Sequence, residues 1–85
     1  MDILQRYPQY YVKIDGHTDN VGEANYNQWL SERRAQRCYE YFISKGISPS
    51  RMAYKGYGQT NPIASNSSES GRKLNRRVEF NLYLP

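Results

Sequence analysis

The stretch Tyr10-Tyr11-Val12-Lys13-Ile14-Asp15-Gly16-His17-Thr18-Asp19-Asn20-Val21-Gly22 changes character at Gly16. From Tyr10 to Asp15, Val12 and Ile14 alternate with Tyr11, Lys13 and Asp15, the two-residue period of a half-buried strand. Gly16 is expected to end that strand. Gly16–Gly22 is polar and bounded by glycines, which reads as a loop. From Glu23 to about Lys45 neither Pro nor Gly occurs, and Leu30, Ala35, Cys38 and Phe42 fall at helical spacing. A strand feeding a polar loop and then a long helix is the start of an α/β unit.

The rest of the chain fits around that unit. Gly46 is a good residue to stop the helix, with Lys45 favourably placed at its negative end. Ile47–Arg51 is a connector containing Pro49, and Met52–Lys55 is a short strand that closes at Gly56-Tyr57-Gly58. Residues 59–71 are rich in Asn, Ser, Thr, Pro and Gly and read as a long surface loop. Val78, Phe80, Leu82 and Leu84 alternate with Glu79, Asn81 and Tyr83, a second clear strand. In residues 1–8, Ile3, Leu4 and Tyr7 have helical spacing before Pro8, too short a helix to stand alone. They are expected to be the last turns of a longer helix. The predicted fold class is an α/β (α+β) sandwich of helices on a small mixed sheet, with a right-handed crossover if the first two strands are parallel.

With 85 residues the chain is expected to be a single domain, 1–85, with a modest core. Hydrophobic residues make up 38%, but nine are tyrosines whose hydroxyls need water or a partner, so the purely apolar core is smaller still. No apolar run is long enough to span a bilayer, and Met1-Asp2 does not open a signal peptide. The single Cys excludes an internal disulfide and a Cys-based zinc site. The net charge of +4 is local: Arg72, Lys73, Arg76 and Arg77 are four of the twelve bases, and the other eight balance the eight acids.

Few residues suggest chemistry. His17 and Asp19 are too few ligands for zinc, no second His exists, and His17 is expected to hydrogen-bond within its loop. Ser31 lacks a Gly-x-Ser-x-Gly elbow, and Cys38 lies on the apolar stripe as an inert thiol, so an enzyme is not expected. No cofactor is implied. Asp19, in a strand-to-helix loop, and Arg34, one position before Ala35, admit two readings. They form a buried structural ion pair, or they line a pocket for a zwitterion, with the carboxylate taking an ammonium and the guanidinium a carboxylate. The Arg72–Arg77 segment is a solvated face, a phosphate or nucleic-acid patch, or an anion-binding rim of the same pocket. The absence of an RNA-binding signature counts against the second.

Together, the segments Ile14-x-Gly16-His17-Thr18-Asp19-Asn20-x-Gly22, Tyr26-Asn27-x-x-Leu30-Ser31-x-x-Arg34-Ala35, Gly46-Ile47, Ser50-Arg51, Gly56-Tyr57-Gly58, Pro62-Ile63-Ala64, Asn66 and Gly71-Arg72-x-x-Asn75-Arg76-Arg77-Val78-Glu79-Phe80 carry a specific resemblance. Over about residues 7–84 the chain resembles the OmpA-like C-terminal domain family, which includes the peptidoglycan-associated lipoprotein and the periplasmic part of the flagellar stator protein. The resemblance implies a βαβαββ-type fold and non-covalent binding of peptidoglycan through the meso-diaminopimelate of its stem peptide. It implies Asp19 and Arg34 as the residues holding the zwitterionic end. It also implies Asn27 as a polar neighbour, Arg77 as the cationic wall, and the backbone of Asn20 and Val21 as the loop side of the site.

The same resemblance implies a periplasmic location as part of an outer-membrane or, less readily, inner-membrane protein, with membrane contact only through parent segments outside this chain. Nucleic acid is not an expected partner. The family domain opens with a strand and a full helix before the Val12–Ile14 strand, so the chain is expected to be truncated at its N-terminus. The sheet is then expected to expose an edge, unless a second copy fills it as a homodimer. The alternatives to wall anchoring are a structural or dimerisation domain of the same fold and a nucleic-acid binder acting through the Arg72–Arg77 turn.

Overall fold

The computed structural model describes residues 2–85. Helix α1 (Asp2–Arg6) leads to strand β1 (Tyr11–Gly16), the long helix α2 (Ala24–Ser44), a 3-10 turn (Pro49–Arg51), strand β2 (Met52–Gly56), helix α3 (Glu69–Asn75) and strand β3 (Val78–Tyr83). The sheet has the order β2-β1-β3. β1 runs parallel to β2 and antiparallel to β3, with Ile14 opposite Tyr54 on one side and Phe80 on the other. This is the small mixed α/β arrangement expected from the sequence.

Strand β1 continues one residue beyond its predicted end. Gly16 pairs with Gly56 of β2 and Val78 of β3. A Cβ on Gly16 would run into the backbone carbonyl of Ser31, and one on Gly56 into the backbone N of Glu32 and the Ser31 hydroxyl. The missing side chains on this rung are what let α2 lie directly against the sheet. α2 ends as predicted. Gly46 has φ +92°, its N–H donates to Ile43 O at 3.0 Å, and the Ile47 N–H donates to Phe42 O at 3.1 Å. This is a Schellman stop, and Ile47 is buried behind it.

The core consists of Leu4, Val12, Ile14, Ala35, Phe42, Ile47 and Met52, with Cys38, Tyr39 and Val78 packed around it. The stripe of α2 differs in part from the apolar reading. Its buried residues are Asn27, Ser31, Ala35 and Phe42, while Leu30 and Cys38 are only half-buried. Ser31 is tolerated there because its Oγ accepts from Gly58 N at 2.8 Å and donates to Gln28 O at 2.8 Å. Burial pushes the Cys38 thiol up from its ordinary pKa. The Tyr39 ring packs with its centroid 5.0 Å from that of Tyr54.

The second half of the chain holds a helix that the sequence reading placed in a loop and a turn. α3 starts at Ser68, whose Oγ accepts from Gly71 N at 3.1 Å, and its short charged sequence with an internal glycine hides the helical pattern. Asn75 at its end is fully buried. Its Oδ1 accepts from Ile63 N and Ala64 N, and its Nδ2 donates to Ala64 O and Asn66 Oδ1, so one side chain fastens the 63–66 loop. β3 is an edge strand of the described sheet, and Phe80, Leu82 and Leu84 are exposed. A cavity of about 230 Å³ lies there, lined by Ile3, Leu4, Val12, Phe42, Phe80 and Leu82.

Candidate functional site

Three segments meet at one end of the sheet: the loop after β1, the loop after β2, and the junction of α3 with β3. Backbone bonds hold them in register. His17 N donates to Arg77 O, Thr18 N to Gly58 O, and Tyr57 N to Gly16 O, at 2.9–3.0 Å. Asp19 sits in this junction with only 7% of its surface exposed. Its Oδ1 accepts from Val21 N at 3.0 Å, closing a tight turn, and its Oδ2 accepts from Arg76 Nη1 at 2.7 Å. Burial alone would raise the Asp19 pKa. The bonds from Arg76 and Val21, with the charges of Arg76 and Arg72, outweigh it and hold the carboxyl below its ordinary value.

Asp19 therefore pairs with Arg76 and not with Arg34. Arg34 reaches the same loop from α2, half-buried, and donates from Nη1 to His17 O at a long 3.4 Å. Among the described residues it has no ion-pair partner, so most of its donors remain available. Arg77 is engaged elsewhere. Its Nε meets Glu79 Oε2 at 2.6 Å, and its Nη2 donates to Asn61 O at 3.0 Å. The cation beside Asp19 is its neighbour Arg76, which also holds Glu69 Oε1 at 2.6 Å. The adjacent arginines in the sequence give no indication of which one faces the loop. Only the geometry at the end of α3 separates them.

Asn27 is buried, and its Nδ2 donates to Val21 O at 3.0 Å, Gln59 Oε1 at 2.9 Å and Asp19 O at 3.4 Å. Its amide thus braces the Asp19 loop from α2. Asn20 and Val21 are exposed on the outside of that loop, and the Val21 N–H is committed to Asp19. His17 differs from expectation. Its backbone is hydrogen-bonded, but both ring nitrogens are buried without a hydrogen-bond partner among the described residues. The ring stacks on Tyr57 at 5.4 Å, and its Nε2 is 3.9 Å from Glu79 Oε1. Burial first, then the nearby Arg77 charge, push the His17 pKa down against the opposing pull of Glu79 and Asp15.

The basic segment is largely neutralised on the spot. Arg72 pairs with Glu69, Arg76 with Asp19 and Glu69, and Arg77 with Glu79. The site thus offers a buried carboxylate under one guanidinium, with a second guanidinium across the loop.

The family model described as "OmpA family" matches residues 1–76. The chain belongs to the OmpA family. It is 46% identical over 78 residues to outer membrane porin F of Pseudomonas fluorescens, covering 92% of this chain and 24% of that protein. It is 42% identical over 79 residues to the peptidoglycan-binding protein ArfA of Mycobacterium bovis, covering 93% of this chain and 24% of that one. This OmpA-family chain therefore spans about a quarter of the length of these relatives. Its fold is similar to that of the C-terminal domain of Helicobacter pylori MotB, with a TM-score of 0.90 at 32% identity, covering 99% of this chain and 66% of that one. Among the described residues, no helix of this OmpA-family chain is long and apolar enough to cross a membrane.

Proposed function

We propose that this domain binds peptidoglycan non-covalently, through the meso-diaminopimelate of the stem peptide, and so anchors a larger envelope protein to the cell wall from the periplasm. The observation that carries the reading is the buried Asp19 carboxylate facing a loop that Arg34 reaches with most of its donors unspent. Membership of a family whose relatives include a named peptidoglycan-binding protein supports it.

In this reading the ligand ammonium is taken by Asp19, beside or in place of Arg76, and the ligand carboxylate by Arg34. Asn20 and Val21 form the loop side, with Asn27 bracing the loop behind them. Arg77 serves as a cationic wall at longer range, because Glu79 and Asn61 occupy its guanidinium. Diaminopimelate exceeds lysine by one carboxylate, and a charge-assisted bond to Arg34 is worth roughly 1.5–3 kcal/mol. That is about a 10- to 100-fold preference. Binding at many sites along the wall polymer would add avidity.

A second reading, an interaction domain without wall binding, draws on the exposed apolar face of β3. Calorimetric titration separates the two. The first expects the diaminopimelate stem peptide to bind, the lysine analogue to bind at least ten-fold more weakly, and Asp19→Ala to bind neither. A folded domain that binds neither ligand rejects it.

A further inference from the structure

The Asp19 carboxylate is already occupied by a cation of its own chain. Oδ1 accepts from Val21 N at 3.0 Å and Oδ2 from Arg76 Nη1 at 2.7 Å. The Asp19 side chain is 10% exposed and that of Arg76 34%. The carboxylate is therefore the inner partner of the pair and the guanidinium the outer one. An ammonium that is to sit on Oδ2 approaches from the side where Arg76 stands.

Of the two partners, the arginine is the one free to move. Asp19 is fixed by the Val21 N–H on its carboxylate and by Asn27 Nδ2 on its backbone carbonyl. Arg76 follows the last turn of α3 on a long side chain, and its Nη2 is held by Glu69 Oε1 at 2.6 Å. The Glu69 side chain is 64% exposed, so this second anchor lies towards solvent. Arg76 can let go of Asp19 and still keep a counter-charge. That lowers the cost of opening the pair, because no cation is left unpaired.

We propose that Arg76 is a displaceable latch on Asp19, an internal cation that the ligand ammonium must replace, and that this exchange sets the affinity threshold of the site. The inference rests on the proposed stem-peptide site and concerns how that site is gated. Replacing a guanidinium by an ammonium on one carboxylate trades one charge-assisted bond for another, so the exchange alone gains little. A ligand that brings only an amine has nothing further to hold it. A ligand that also brings a carboxylate gains Arg34, which has no ion pair to give up among the described residues. The latch thus turns a carboxylate open to any amine into a site that answers to a zwitterion. Closed for about nine-tenths of the time, it weakens every ammonium ligand about 10-fold relative to an open site.

Calorimetric titration of Arg76→Ala beside the unmodified chain tests the latch. The variant is expected to bind the diaminopimelate stem peptide and its lysine analogue each about 10-fold tighter, with their ratio unchanged. Weaker or unchanged binding of the diaminopimelate peptide by a folded Arg76→Ala overturns the latch, since the arginine is then a ligand contact or a bystander. If the variant does not fold, nitrogen NMR of the unmodified chain decides. The Arg76 Nη signals should move as the peptide is added, and signals that stay in place at saturation overturn the latch. Tighter binding of both ligands by Arg76→Ala, with neither protein preferring one ligand, rejects the carboxylate role of Arg34 and retains the latch. Failure of both ligands on both folded proteins rejects the latch and the site together.

Discussion

Arg76 Nη1 lies 2.7 Å from Asp19 Oδ2, and the other end of the same guanidinium lies 2.6 Å from Glu69 Oε1. One arginine at the end of α3 thus ties the loop after β1 to the start of its own helix. The pair keeps Asp19 ionised in a nearly dry position, the state in which it can receive an ammonium. Any such ligand must share Asp19 with Arg76 or displace it.

Arg76→Gln should raise the Asp19 pKa from its depressed value, because burial then acts without its main opposition and only the Val21 bond and the Arg72 charge still counter it. NMR titration of the side-chain carboxyl measures this directly. The folded-state pKa is depressed, so the pair's stabilisation is present above the unfolded value of 3.8 and lost as pH falls through the folded one. The Tm of Arg76→Gln should therefore lie below that of the unmodified chain at pH 7, and the two should converge in acid.

His17 also loses stability as pH falls, but in a different pH window. Its folded pKa lies below the unfolded 6.5, so the unfolded chain takes up the proton first. Stability is complete above pH 6.5 and declines as pH falls below it, until the folded ring also protonates. His17→Phe retains a ring to stack on Tyr57 and removes the proton. Its denaturant midpoint should change less between pH 7.5 and pH 5 than that of the unmodified chain.

Arg34 and Arg77 should separate binding from folding. Arg34→Ala removes one long hydrogen bond from the folded state and should change Tm little while weakening the stem peptide by about 10- to 100-fold. Arg77→Ala strands Glu79 and the carbonyl of Asn61 and should lower Tm. The reverse pattern would make Arg34 a structural residue. Lys55→Ala on β2 serves as a control and should leave ligand affinity unchanged.

Asn75→Ala should be the most damaging polar substitution. It leaves two N–H groups of the 63–66 loop without their acceptor and removes both donors that hold its carbonyl side. A cost of about 3 kcal/mol is expected, or a fall in Tm of roughly 12–24 °C for a domain of this size. Thermal unfolding followed by circular dichroism measures it.

Features legible in the sequence were those governed by neighbours along the chain. β1 showed its two-residue period, α2 its long stretch without Pro or Gly, and Gly46 its cap, and each is present in the fold. α3 was not legible, because its start depends on Ser68 and it carries Gly71, whose added Cβ would collide with Ser65 O. Nor could apolar periodicity reveal Asn27 and Ser31 as the buried positions of α2, since polar residues enter a core only when remote partners satisfy them. The loop carrying Asp19 stood out by its bounding glycines. Spacing offers Arg34 as the ion-pair partner of Asp19, whereas the structure pairs it with Arg76, 57 positions away. The choice of Arg76 over Arg77 depends on how α3 docks.

The open flank of β3 bears on how the domain behaves in the test tube. Its outer backbone edge has no strand beside it among the described residues, and Phe80, Leu82 and Leu84 present oily side chains to water. Such a flank invites edge-to-edge contact between molecules. Encounters of this kind grow with the square of concentration, so a dilute sample stays monodisperse, while a concentrated one is prone to cloud. A lysine at Leu82 would serve as a gatekeeper, extending the usable concentration from the side of the molecule away from the Asp19 loop.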